Sequence, residues 1–459
     1  MADSAFIDNT FRPCERAWLA RAARRLTTIA LCLLAPTLHA VEADDEAVAQ
    51  VLTQARPLAQ PADLDDLVAT MAGHRLVLLG ESTHGTHEYY LWRDAISRRL
   101  VANHGFSFIA VEGDFPAIHD LNRFVKNLPG AAASAREILT GFDRFPAWMW
   151  GNEEFLALVE WLRTYNDQRP PHLKVGLYGM DVYNEWRARD ELLQVLAAHD
   201  PDTHAQVARH YQCFDAYQRD SWRYARAVQE GAADCSQATL DALETVKAAG
   251  ALAPLADNGH FFAVQNARVK HNAEKFYRKS QGNQHSAAWN ARASHMHDTV
   301  TRLMGLYGDD ARGIVWAHNT HVGDAHYTSM RNQQQHNIGQ LSRRQWGDDQ
   351  VFLLGFSTHS GTVKAARGWG ARRQLMTIPA PQPDSLEDLL ARTGLDRYYL
   401  LFGDDRRQGP LAAARGHRAV GVVYDPENDP RQFVDTIAAM RYDALVFLRH
   451  TRALTPLPD

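Results

Sequence analysis

Apolar and polar positions along the chain alternate between two formats. Short continuous apolar runs end in Gly and an acidic residue or a histidine, and longer stretches follow with helical spacing. The run Leu76–Leu79 stops at Gly80 and reads as a strand buried on both faces. A polar turn follows, Gly80-Glu81-Ser82-Thr83-His84-Gly85-Thr86-His87. From Tyr89 the spacing is helical, with Tyr90, Leu91, Ile96 and Leu100 on one face and Arg93, Asp94, Arg98 and Arg99 mostly on the other. Phe106–Val111 is a second strand, ending in Glu112-Gly113-Asp114, and Lys174–Tyr178 a third, ending in Gly179-Met180-Asp181. Further strands are expected at Gly313–Ala317, Gln350–Phe356, Arg397–Phe402, Ala419–Tyr424 and Ala444–Leu448.

Strands separated by helical stretches predict an α/β fold, a mostly parallel sheet flanked by helices. Between Glu185 and Leu306 the pattern is helical throughout, rich in Ala, Gln, Arg and His, with no strand-like run. This stretch is read as a helical insertion, a lid over the carboxyl ends of the strands, with α/β core on either side at 41–184 and 307–459.

Residues 1–40 read as an export leader. Arg12, Arg16, Arg21, Arg24 and Arg25 precede the apolar run Thr27–Ala35, which is too short to span a bilayer, and Pro36 to Ala40 offers a cleavage region. A mature protein that is periplasmic or secreted, with no membrane segment, is expected. It would keep only Cys213 and Cys235, as a disulfide or as two buried thiols. The net charge of −5 argues against a nucleic-acid partner.

Four strand ends bring chemistry: Glu81/His84, Glu112/Asp114, Asp181 and His318/His321. If the strands are parallel neighbours, these side chains meet at one edge of the sheet, where open α/β sheets bind ligands. The common alternatives lose their supports. Gly80–His84 and Gly355–His359 both lack the final Gly of G-x-S-x-G, His87-Glu88 does not open H-E-x-x-H, and no phosphate loop or dinucleotide fingerprint is present.

An imidazole and carboxylate cluster suits the activation of water near neutral pH. His84 is cast as the base, Glu112 as its carboxylate partner and Glu81 as the second choice. His318 and His321 would bind a developing oxyanion or protonate a leaving alcohol. Arg93, Arg292, Asp114 and His87 are the candidates for contact with a small-molecule ester. No cofactor is required; a divalent metal on the same groups, or a non-catalytic envelope binding protein, is the alternative.

The motifs Gly80-Glu81-Ser82-Thr83-His84-Gly85-Thr86, Val111-Glu112-Gly113-Asp114, Trp289-Asn290-x-Arg292, Ala317-His318-Asn319-x-His321 and Tyr442-Asp443-Ala444-Leu445 resemble the erythromycin esterase family. The resemblance runs from about Asp63 to Pro458. It implies an α/β core with a helical lid and, in those members that inactivate macrolides, hydrolysis of the macrolactone ester. It also implies that His84 is the base and that Glu81, Arg93, Glu112, His318 and His321 hold matching motif positions. Ser82 stands where the family often has Ala or Arg. Ala293 follows Arg292 where Asp is common.

Overall fold

The computed structural model describes residues 35–252, 258–403, 407 and 409–458. Most of the stretch read as an export leader, residues 1–34, therefore lies outside the described residues. Among the described residues no helix is long and apolar enough to cross a membrane.

Nine strands form one sheet: β1 (Arg56–Pro57), β2 (Leu76–Leu79), β3 (Phe108–Asp114), β4 (Gly176–Asp181), β5 (Gly313–Trp316), β6 (Val351–Ala366), β7 (Arg373–Ile378), β8 (Arg397–Leu401) and β11 (Ala444–Thr451). A separate antiparallel pair is made by β9 (Ala414–Arg418) and β10 (Phe433–Ile437). The large sheet runs in the order β1-β8-β11-β6-β2-β5-β3-β4, with β7 paired to β6. Its centre, β11-β6-β2-β5-β3-β4, is parallel.

The apolar runs are continuous because the sheet is covered on both faces. Val77 and Leu79 enter one core and Leu76 and Leu78 the other, as the two-residue period of a strand requires. The chain leaves β2 for β3 in one direction and β5 for β6 in the other. The carboxyl ends of β2 and β5 therefore flank a switch point, the place where such sheets form crevices.

The helix His87–His104 packs Tyr89, Tyr90, Trp92, Ile96 and Leu100 into the first core. It ends where Gly105 takes a left-handed conformation, φ 70°, and its N–H bonds to the carbonyl of Leu100. Two side chains depart from the expected faces. Leu91 points outward and Arg93 is fully buried, because Arg93 has a buried carboxylate to neutralise, as the site shows below.

Residues 185–307 carry helices only, among those described. Their own core gathers Leu192, Leu196, Val207, Phe214, Tyr224 and Leu243, closed by a disulfide between Cys213 and Cys235. The helix His285–Tyr307 returns to the sheet through Met296, Val300 and Leu303.

Several strand limits differ from the expected ones. β3 and β4 extend through Asp114 and Asp181, so the acidic residues belong to the strands themselves. β6 does not stop at Phe356. It runs for 16 residues, because β11 continues beside it to Gly361 and β7 pairs with it to Ala366. Ala419–Tyr424 is not a strand. It makes single bridges only, Val420 to Thr83 and Val423 to Ala366, while Val420 and Tyr424 pack against Val363 and Met376. Strands β7, β9 and β10 have no strong local signature; pairing with distant partners makes them.

Candidate active site

The turn after β2 is buried over its whole length from Gly80 to Thr86. Gly80 has no room for a side chain, since a Cβ there would collide with the amide of Asn319. Within the turn, His84 Nδ1 lies 2.9 Å from Glu81 Oε1, and the other oxygen of Glu81 accepts from Arg93 Nη2 at 2.6 Å. Arg93 is fully buried between the rings of Tyr90 and Trp316, each centroid 4.6 Å from its guanidinium carbon. A buried carboxylate needs such a counter-charge.

Burial disfavours the charged imidazole of His84. The hydrogen bond to Glu81 and the charges of Glu112 and Glu81 outweigh that effect, and its pKa is raised.

Opposite this turn stands a second cluster. Glu112, from the end of β3, accepts from Arg292 Nη2 at 2.8 Å through Oε1 and from the backbone N–H of His318 at 2.8 Å through Oε2. Its Oε1 is 3.3 Å from His321 Nε2. Asp181, from the end of β4, takes Arg292 in a fork: Nε to Oδ1 at 2.8 Å and Nη2 to Oδ2 at 2.6 Å. Burial works against both carboxylates, but His321 and Arg292 hold Glu112 well below the usual range, and Arg292 holds Asp181 down. Arg292 also reaches His321, with Nη1 3.0 Å from Nε2, and Trp289 stacks on the His321 ring at 4.6 Å.

His318 lies beside His84, ring centroids 4.9 Å apart. Burial, then the charge of His84, push its pKa well below the ordinary value. Its Nδ1 faces Thr320, 2.8 Å from Oγ1. His318 is therefore the neutral ring of the pair and His84 the basic one.

These groups floor a cleft of about 1060 Å³. Its lining also takes in Asn184, Arg187, His285 and Trp289, the tip of the β6–β7 hairpin and the segments 419–425 and 428–434. Its lining holds five acids, Glu112, Asp114, Asp143, Asp181 and Asp425, against five arginines, Arg144, Arg187, Arg292, Arg367 and Arg431. The cleft is thus close to charge-balanced and suits an uncharged or zwitterionic guest. Phe142, Trp150, Tyr183, Trp369, Tyr424 and Phe433 add apolar surface.

The structure brings His84, Glu112, His318, His321, Arg292 and Asp114 to the cleft and places three expected residues elsewhere. Glu81, not Glu112, holds the His84 ring, because Arg292 and the His318 backbone occupy the Glu112 oxygens. Arg93 does not face the cleft; it lies behind Glu81. His87 is bonded to Glu154, Nδ1 to Oε1 at 2.7 Å, outside the cleft lining. His84 itself is buried within that turn.

Three residues gained no role from sequence reasoning. Asp181 was visible as a strand end, but its grip on Arg292 was not. Trp289 sits in the Trp-Asn-x-Arg motif. Arg144, which forks onto Asp114 with two bonds of 2.6 Å, lies in a loop without any signal. Among the described residues no group of three or more His, Cys, Asp or Glu is arranged to hold a metal ion.

Fold and cleft define an α/β protein with a histidine–carboxylate site at the carboxyl end of a largely parallel sheet. The chain belongs to the erythromycin esterase family, whose profile matches residues 101–451. Erythromycin esterase type I of Escherichia coli is 29% identical over 145 residues, 30% of this chain and 33% of that protein. The match therefore spans a third of the length of that relative.

Solved structures share the fold over nearly the whole chain. A succinoglycan biosynthesis protein has a TM-score of 0.71 at 19% identity, covering 90% of this chain and 98% of its own. A Bacillus cereus protein has 0.70 at 18%, covering 91% and 99%. A histidine-to-asparagine mutant of the erythromycin esterase EreC, in its open conformation, has 0.61 at 18%, covering 87% and 96%.

Proposed function

We propose that this protein hydrolyses carboxylic esters, with His84 as the base that activates water. The observation carrying this reading is the His84–Glu81–Arg93 chain, aimed from a buried turn at a cleft whose far side is Glu112, Arg292 and Asp181. Glu81 fixes the ring through Nδ1, which leaves Nε2 to take a proton from water as its oxygen attacks the ester carbonyl.

The developing oxyanion is stabilised by donors that need no reorganisation, the neutral His318 ring and His321. Glu112 and Arg292 set the orientation of His321. When the tetrahedral species collapses, the bond to the alcohol oxygen breaks. The proton held by His84 passes to that oxygen, and the carboxylic acid product gives up its remaining proton to solvent and leaves as its carboxylate.

The cleft is large and amphipathic, so the preferred substrate is a bulky, uncharged or zwitterionic ester rather than a short acyl ester. A macrolactone is in that class, and the family relation makes macrolides the first compounds to test. Macrolide inactivation would make the protein a resistance factor. The basic and apolar leader, together with the Cys213–Cys235 disulfide, supports export to the periplasm or beyond.

The test is a panel of macrolactones and simple esters, offered to the purified protein before and after prolonged chelation. Cleavage that survives chelation is expected. Cleavage of no ester, or cleavage that returns only with added metal, overturns the reading.

A further inference from the structure

Behind the cleft floor lies a second buried polar chain, which the proposed chemistry does not touch. Glu387, at the start of the helix Leu386–Ala391, is fully buried. One of its oxygens accepts from His417 Nδ1 at 2.6 Å, from Ser357 Oγ at 3.1 Å and from the backbone N–H of Arg418 at 3.1 Å. A carboxylate at Nδ1 keeps the ring proton there and leaves Nε2 as an acceptor. His417 Nε2 meets the side-chain amide of Asn319, 3.3 Å from Nδ2.

Asn319 joins the two halves of the site. It follows His318 directly and stands two residues before His321. Its backbone N–H donates to the carbonyl of Glu81 at 2.8 Å. Its side chain is paired both ways with the backbone of Phe356 on β6, donating to the carbonyl at 2.7 Å and accepting from the N–H at 3.2 Å. Arg441 Nη2 donates to its own carbonyl at 2.7 Å. The turn after β5 and the turn after β2 are thus clamped together at this single residue.

We propose that Glu387, His417 and Asn319 are positioning residues, a buried chain that fixes the His318–His321 turn against the Glu81–His84 turn. This inference rests on the ester-hydrolysis reading of the site. A network kept only for stability would have no need to end at this amide, since well-packed apolar residues often serve a core as well as buried charges do. The chain ends on Asn319, the residue that directly follows one candidate oxyanion donor in the turn that carries both, where a displacement of about 1 Å can cost on the order of a hundredfold in rate.

The experiment compares His417→Leu, which keeps bulk but no acceptor, with His417→Gln, which keeps an acceptor toward Asn319. Turnover of one cleaved ester is measured per folded molecule, with the folded fraction taken from circular dichroism. For His417→Leu, kcat is expected to fall about 30-fold with KM within about twofold of wild type. His417→Gln is expected within about threefold of wild type in both.

Wild-type kcat in His417→Leu, a rise in KM carrying the loss, or equal impairment of the two variants overturns the chain. If His417→Leu does not fold, Asn319→Asp decides the matter. It preserves size and the bond from the Phe356 N–H but cannot donate to His417, and unchanged kcat there overturns the chain as well. A wild type that cleaves no ester sinks the site reading and this inference together, whereas active wild type with fully active variants sinks this inference alone.

Discussion

The floor and the rim of the cleft are built on opposite principles. On the floor and directly behind it, Glu112, Asp181, Glu81 and Arg93 are buried, and each charge lies against an opposite one within hydrogen-bonding distance. On the rim, Asp143 and Arg431 are exposed, and Trp369 at the tip of the β6–β7 hairpin is 57% exposed. Buried charges are held by their partners, so the floor has one geometry. The rim can change residue by residue without disturbing the core. In the proposed reading, chemistry belongs to the floor and substrate choice to the rim.

That contrast sets the scale of each expected effect. His84→Ala removes the base and should lower kcat/KM by about a hundredfold to ten-thousandfold, measured on any ester the wild type cleaves. Activity near wild type would remove His84 from the mechanism. Glu81→Ala leaves Arg93 as a buried charge without its carboxylate and should destabilise the fold by about 3–5 kcal/mol, read from denaturant unfolding. A loss below about 1 kcal/mol would mean that the floor is not held by charge pairing.

Trp369→Ala sharpens the comparison from the other side. Its ring centroid lies 5.1 Å from that of Phe145 and 6.2 Å from that of Tyr183, so it joins the hairpin tip to two other segments beside the cleft. Its loss should raise KM for a bulky ester several-fold, about what 1 kcal/mol of lost aromatic contact implies, and leave a short acyl ester unchanged. An equal effect on both esters would place Trp369 in the floor's role.

The floor was largely legible in the sequence and the rim was not. Continuous apolar runs such as Leu76–Leu79 announce strands buried on both faces, and the polar residue that follows each is forced to the strand's end. That logic located Glu81, His84, Glu112, Asp181, His318 and His321. It did not assign partners. In one dimension Glu112 is the favoured mate for His84 and Glu81 the second choice, and the structure reverses that order because Arg292 reaches Glu112 from 180 residues away.

Helical periodicity placed Arg93 with the solvent-facing residues. The need of Glu81 for a cation brought it inside, an effect that no local pattern carries. The rim comes from the tip of the β6–β7 hairpin, the start of β10 and the segment 419–425, whose arrangement depends on partners far away in the chain. Val420 and Tyr424 had the composition of a strand, yet they pack as a small cluster under the hairpin, and only long-range contacts reveal it.

The central claim is that Glu81 makes His84 the base. It is tested most directly by the pH dependence of kcat/KM for wild type and Glu81→Gln, measured side by side. His84 works as a base only when unprotonated, and its carboxylate neighbours raise its pKa. Wild-type activity should therefore fall with decreasing pH along a limb centred above the ordinary histidine pKa of about 6.5. In Glu81→Gln the hydrogen-bonded carboxylate is gone, so the limb should move to lower pH. A limb that stays in place in Glu81→Gln would contradict the account.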